Sequence, residues 1–261
     1  MNNQANWRCK VLMRFGLAIV IVLALSEAHA TSQESWIDEI APLWKWMPLL
    51  LKGFLVDVGI SIAAMLIGTA FGAIIGVGQT LFKGIIRIFC LGLTQFFRNA
   101  PWLVLLFFCI LLIPHQITVF DWVIPFPPWM KGIIGLALPV MGNVSEVVRG
   151  GLISIPSAQW EAADALALNK WQTLRIVILP QALKRMLPPW MNVYAVLIMA
   201  TPLVSIVGVE DSVTVARSVL SAEGNTALLM PVYGLLLILF YAYCAPIARL
   251  ARFLEVRYAV K

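Results

Sequence analysis

Glu161 and Asp164 stand three residues apart in the run Glu161-Ala162-Ala163-Asp164-Ala165-Leu166-Ala167, a spacing that puts both carboxylates on one face of a helix. The chemistry on offer there is charge recognition of a partner surface. The other polar groups worth naming lie inside apolar runs: Asp57 near the start of one, Asn143 and Glu146 near the end of another, Thr201 and Ser205 within a third. An ionisable group inside a membrane segment points by default to a path for solute. Glu146 has a second reading, because Arg149 lies one helical turn away and can pair with it for structure only. Thr201 and Ser205 equally suit hydrogen bonds to neighbouring helices.

Other site chemistries find no residues. His29 and His115 are far apart, and none of Cys9, Cys90, Cys109 and Cys244 forms a Cys-x-x-Cys pair, so neither a metal site nor a disulfide framework is read. No Gly-x-x-x-x-Gly-Lys-Ser/Thr run occurs to cradle nucleotide phosphates. The expectation is a chain that is not an enzyme and binds no cofactor directly.

The elements that must position these groups are membrane spans. Of the 261 residues, 61% are hydrophobic and 12% charged, against roughly 45–50% and 25% in an average soluble domain. A soluble core cannot bury that much apolar surface, so lipid is the expected solvent. The net charge of +6 is dispersed beside apolar runs, which reads as cytoplasmic loops rather than nucleic-acid binding. Five apolar segments, near 48–81, 94–113, 130–149, 189–209 and 230–250, each approach or exceed the roughly 20 residues of one span.

Residues 1–30 stand apart. Arg8, Lys10 and Arg14 precede an apolar run over 15–25 and a small-residue end at Ala28-His29-Ala30, the layout of a secretory signal peptide or of an uncleaved signal anchor. Residues 31–47, with Glu34, Trp36, Asp38, Glu39, Trp44 and Trp46, read as an external amphipathic stretch at the outer interface. Threading the chain from outside through five spans leaves only Lys45, Lys52, Lys131 and Arg217 of the 19 basic residues outside. The positive-inside rule therefore predicts an inner-membrane, multi-pass protein with its mature N-terminus out and its C-terminus in. Gly68, Gly72 and Gly76 line one face of the first span and serve either local packing or a subunit seam.

The inner segment 150–188 is longer than a connection needs to be. Ile155-Pro156-Ser157 predicts a helix over 157–168 with serine at the cap, and Asn169 with Gln172 predicts a capping box for a second helix that ends at Leu179-Pro180. Such a helix–turn–helix reads as a docking element for a cytoplasmic partner. The other reading is an interfacial helix pair on lipid headgroups, which an anionic leaflet disfavours through Glu161 and Asp164.

This run, followed after nine residues by Val177-Ile178-Leu179-Pro180, resembles the EAA loop of ABC importer permeases. Phe97-Arg98-Asn99-Ala100-Pro101, Glu146-Val147-Val148-Arg149-Gly150-Gly151 and Ser205-Ile206-Val207-Gly208-Val209 are similar to the polar amino-acid and opine branch. The resemblance implies a type I importer permease fold: an all-α integral membrane protein of five core transmembrane helices over 48–255. It implies that Glu161, Ala162, Ala163, Asp164, Ala167, Leu179 and Pro180 couple the chain to an ABC ATPase dimer, the only place where ATP would be used. It further implies a second permease subunit, identical or homologous, and an external solute-binding protein meeting outer loops that include Asp121, Glu210 and Asp211. The solute would be an amino acid or a related small polar molecule. Ala167 departs from the family's glycine, and alanine adopts a left-handed turn poorly, so either Asn169 takes up the turn or the docking geometry differs. Val177 replaces isoleucine, and Asn99-Ala100 replace glycine and threonine. A self-contained secondary carrier or channel is the alternative, but it calls for inverted repeats and broken midplane helices, and the sequence displays neither.

Overall fold

The computed structural model describes residues 35–119 and 122–258. The signal peptide or anchor expected over 1–30 lies outside the described residues, as do Asp121 and the start of the 31–47 stretch.

A long apolar run without a breaker at its centre gives one long helix. α1 runs Ser35–Leu81 and passes through Pro42 and Pro48 without a break. Its 47 residues extend about 70 Å at 1.5 Å per residue, against the roughly 30 Å hydrocarbon core of a bilayer. The stretch before residue 48, expected as a separate interfacial segment, is thus continuous with the first span.

The second apolar segment is not a straight span over 94–113. It is α2 (Ile85–Asn99) and α3 (Trp102–Leu112), bent by 104° at the break between them. Pro101 has no N–H to continue the ladder and pushes Ala100 into an extended conformation, φ −71° and ψ 137°. Each arm is too short to cross alone, so the pair forms either one broken span or a re-entrant loop. This is the feature the sequence reading did not find.

A small antiparallel hairpin, β1 (Gln116–Val119) with β2 (Trp122–Pro125), pairs Ile117 with Ile124 and Thr118 with Val123. Its β-branched residues suit a strand, and it is a short exception in an otherwise helical chain. α4 follows (Pro128–Ile153), with Pro128 at its first turn, where a missing N–H costs nothing. Then come α5 (Ser157–Ala165), α6 (Lys170–Gln172), a π-helical turn over Thr173–Ile178 and α7 (Leu179–Ala200). A 3-10 segment, Thr201–Val207, leads to α8 (Ser212–Glu223), and a 3-10 turn at Thr226–Leu228 leads to α9 (Leu229–Tyr258). By length and composition four helical segments among the described residues can cross a membrane, and the count reaches the five that were expected when the bent α2–α3 pair is taken as one span.

The centre of the bundle is the parallel pair α1–α4. A Cβ added at Gly68 would lie 2.5 Å from Val140 Cγ1, at Gly72 2.8 Å from the Met141 carbonyl, and at Gly76 2.6 Å from the Ser145 carbonyl. The glycine stripe therefore serves local packing, the simpler of its two readings: bare backbone lets α4 approach within the reach of its own carbonyls. Ile60, Ala64, Met65, Leu136, Val140 and Val144 fill the surrounding core. Near Gly76 a buried polar node ties three helices. Gln79 Nε2 donates to Thr94 Oγ1, which lies 2.8 Å from Ser145 Oγ.

Candidate functional site

Where α4 ends, the chain folds a compact element onto the end of α7. α5 does not begin with a serine cap as expected; Pro156 holds the cap position and Ser157 is the first helical residue, without a capping bond. The second cap is as read from sequence. Asn169 Oδ1 accepts from the Gln172 N–H at 2.9 Å, and Gln172 Oε1 accepts from the Asn169 N–H at 2.9 Å. The helix it starts does not stop at Leu179-Pro180. The π turn over Thr173–Ile178 precedes the proline, and α7 continues past it with Pro180 in its opening turn. A change of ladder register next to the residue that lacks a donor lets the helix carry on.

The face α5 turns inward is fixed by packing. Ala163 is 2% exposed, and the nearby Ile155, Leu174, Ile178 and Ala182 belong to the main core, with Trp160 packed against that core. Gln181 Nε2 donates to Gln159 Oε1 and to the Val177 carbonyl, and Arg185 donates to the Ser154 carbonyl. Glu161, Ala162 and Asp164 are exposed, as is Pro180, while Leu179 is half-buried. The same segment exposes apolar side chains the sequence reading did not single out: Leu166 is 74% exposed, Trp171 60% and Ile176 63%. Their signal was an apolar residue on the outward face of an otherwise polar segment.

Ala167 resolves the question its departure raised. It adopts φ +54° itself, the left-handed turn, whereas Asn169 is extended at φ −73°. The turn has not moved to Asn169; the alanine accepts a strained conformation worth roughly 1–2 kcal/mol.

The five solute-path candidates do not converge. Asp57 lies near the hairpin end of α1 and is fully buried. Its Oδ2 accepts from the Ser212 N–H at 3.2 Å and from the Ser212 hydroxyl, with Thr201 and Asp211 beside it. Thr201 Oγ1 donates to the Ile198 carbonyl and Ser205 Oγ to the Pro202 carbonyl, each at 2.8 Å, and the Thr201 hydroxyl also faces Asp57 of the neighbouring α1. Asn143 Nδ2 donates to the Pro139 carbonyl at 2.8 Å. Glu146, towards the far end of α4, is bound by Arg149, whose Nε lies 3.0 Å from Oε2, and has Arg98 at 4.0 Å. The Glu146–Arg149 pairing was the structural alternative read from the sequence.

At the hairpin end Gly53 of α1 meets the loop before α8: a Cβ there would sit 2.9 Å from Ser212 Cα. Beside this contact lies a cavity of about 350 Å³ lined by Lys52, Gly53, Trp129, Gly208 and Glu210 among others. Further out, Trp46 Nε1 donates to Glu223 Oε1 at 2.6 Å and Lys45 lies 3.4 Å away. These donors hold the Glu223 carboxyl below its ordinary pKa. No group of three or more His, Cys, Asp or Glu suited to a metal ion occurs among the described residues.

The comparisons with known proteins agree on the class. The chain belongs to the family described as binding-protein-dependent transport system inner membrane component, which matches residues 68–258. It is thus a multi-pass inner-membrane transport component, not an enzyme. It is 30% identical to a glutamate/glutamine/aspartate/asparagine transport system permease protein of Rhodobacter capsulatus over 78% of this chain and 46% of that one. A probable amino-acid ABC transporter permease protein of Bacillus subtilis is also 30% identical, over 81% of this chain and 90% of its own length. The chain spans about half the length of the first relatives it matches, 46% and 56%. Among solved structures, an amino acid ABC transporter crystallised with histidines superposes with a TM-score of 0.70 at 22% identity, covering 82% of this chain and 96% of that one. That likeness shows the fold.

Proposed function

We propose that this chain is the permease subunit of an ATP-driven importer that carries an amino acid or a related small polar solute across the inner membrane. The observation that carries the reading is the α5 element. It is anchored to the bundle by buried contacts, yet it exposes two carboxylates that have no partner among the described residues and three large apolar side chains. Exposed apolar groups ringed by charge mark a protein interface. The partner is an ATPase dimer that meets Glu161, Ala162, Asp164 and the Ala167 turn, with Ala163, Leu179 and Pro180 shaping the element from behind. ATP is bound and hydrolysed there and not on this chain.

In this reading the α5 end faces the cytoplasm, the hairpin end faces outward, and the C-terminus lies inside. A second permease subunit completes the pathway, and an external binding protein delivers solute to the hairpin end. ATP-driven closure of the partner moves α5 and, through the Gln159–Gln181 and Ser154–Arg185 contacts, tilts α7 as a rigid body. The amino-acid class rests on the printed names of the relatives, whose solutes include glutamine. The bent α2–α3 pair removes one argument against a self-contained carrier, but a carrier leaves the α5 element without a use.

The substitution Glu161→Lys tests the reading. It is expected to bring uptake of labelled amino acids to background while membrane insertion and protein level stay normal. Normal uptake by the variant sinks the coupling role.

A further inference from the structure

The cavity at the hairpin end has a charge arrangement that the proposed function does not use. We infer that it is a vestibule site for a zwitterion, holding a free amino acid by both its carboxylate and its ammonium on the way into the bundle. The inference rests on the amino-acid reading above and deepens it.

The cavity holds about 350 Å³, within the range of small-molecule sites of roughly 300–1,000 Å³. Two ionisable side chains line it, and they have opposite signs: Lys52 on α1 and Glu210 in the loop before α8. Both are exposed, and neither has a hydrogen-bond or ion-pair partner among the described residues. The wall between them is apolar, formed by Val56, Trp129 and Val209, and suits the carbon skeleton of a solute.

A second, independent feature sits behind the wall. Asp57 and Asp211 flank the lining residues Val56 and Glu210 in sequence and are fully buried, and each keeps one oxygen, Asp57 Oδ1 and Asp211 Oδ2, without any hydrogen-bond partner. Buried carboxylates without a counter-cation impose a negative potential on the space in front of them. They add negative charge next to the Val56 and Glu210 part of the lining, which favours a cationic group there, while Lys52 supplies a positive charge. A purely anionic ligand leaves Glu210 opposed, and a purely cationic one leaves Lys52 opposed. A molecule carrying both charges a few ångströms apart satisfies both.

The test uses the complete importer in membrane vesicles and a mixture of the twenty 14C-labelled amino acids as probe. Lys52→Glu and Glu210→Lys each put two like charges across the cavity and are expected to raise the apparent KM at least tenfold. The neutral double variant Lys52→Met with Glu210→Gln is expected to do the same. The double exchange Lys52→Glu with Glu210→Lys is expected to recover only part of the way from the single variants to the parent KM, because a zwitterion can bind end for end but Asp57 and Asp211 keep their charge. A neutral double variant with the parent KM overturns the inference. So does a double exchange worse than either single variant, which marks the two charges as contacts with an external protein of fixed polarity. Parent vesicles that take up no label defeat the amino-acid reading itself. Unchanged variants beside active parent vesicles defeat only the vestibule site.

Discussion

At the α5 end Glu161 and Asp164 stand in water, whereas at the hairpin end Asp57 and Asp211 are withdrawn from it. Glu161 and Asp164 are exposed and have no partner among the described residues, while Asp57 and Asp211 are fully buried. The buried pair is fixed by groups of this chain: Ser212 donates to Asp57, and the Thr214 N–H donates to Asp211 Oδ1 at 2.9 Å as the cap of α8. An exposed charge costs little to leave unpaired, so its placement says something about what comes from outside. A buried charge must be compensated from within, so its first duty is to hold two segments together. In the proposed reading Glu161 and Asp164 are free to meet a partner, while Asp57 and Asp211 hold this chain's own segments in register.

The contrast can be broken from the inside. Gly76→Leu should do the most damage, because even its Cβ would lie 2.6 Å from the Ser145 carbonyl and 2.7 Å from Val148 Cβ. Overpacking of this kind costs about 3 kcal/mol, and detergent-solubilised protein should unfold at a clearly lower temperature or fail to accumulate. A Gly76→Leu variant with the parent melting temperature would mean that α1 and α4 are not in this contact. Asp57→Ala should cost about 2 kcal/mol, since it leaves the buried Ser212 donors without an acceptor. Asp57→Asn, which keeps an acceptor oxygen, should lose less, and equal melting losses would show that the carboxylate does not fasten α1 to α8. The smallest effect sharpens the other end. Ala167→Gly should relieve the left-handed turn at φ +54° and steady the loop by about 0.5–1 kcal/mol, seen as slower proteolysis or amide exchange over 165–169. Faster exchange would mean that the loop turns elsewhere.

Much of this was legible in the sequence because span length and charge bias are one-dimensional signals. The apolar run to Leu81, the segment over 130–149 and the Asn169–Gln172 cap are all where the residues put them. The glycine stripe was also legible, since small residues every four positions have few uses in lipid. What was missed involves backbone direction. Pro101 stood in the sequence, but hydropathy does not register a 104° bend, and two short apolar helices sum to one apparent span. The continuation of α7 through Pro180 needed a π turn, which no composition signal announces. Ala167 could be flagged as a departure, yet whether the alanine or its neighbour takes the strained turn depends on packing around Ala163. For the solute-path candidates, polarity inside an apolar run marked Asp57, Asn143, Glu146, Thr201 and Ser205, while the bonds these groups make are tertiary or local and invisible in one dimension.

The central claim is that α5 is the surface through which an ATPase drives this permease. A photo-crosslinking amino acid placed at position 161 in the full-length protein, activated in native membranes, tests it most directly. The account predicts a covalent partner that carries a phosphate-cradling Gly-x-x-x-x-Gly-Lys-Ser/Thr loop, lost when the probe is moved to the buried position of Ala163. Crosslinks to lipid alone, or to no protein in membranes that import solute normally, would contradict it.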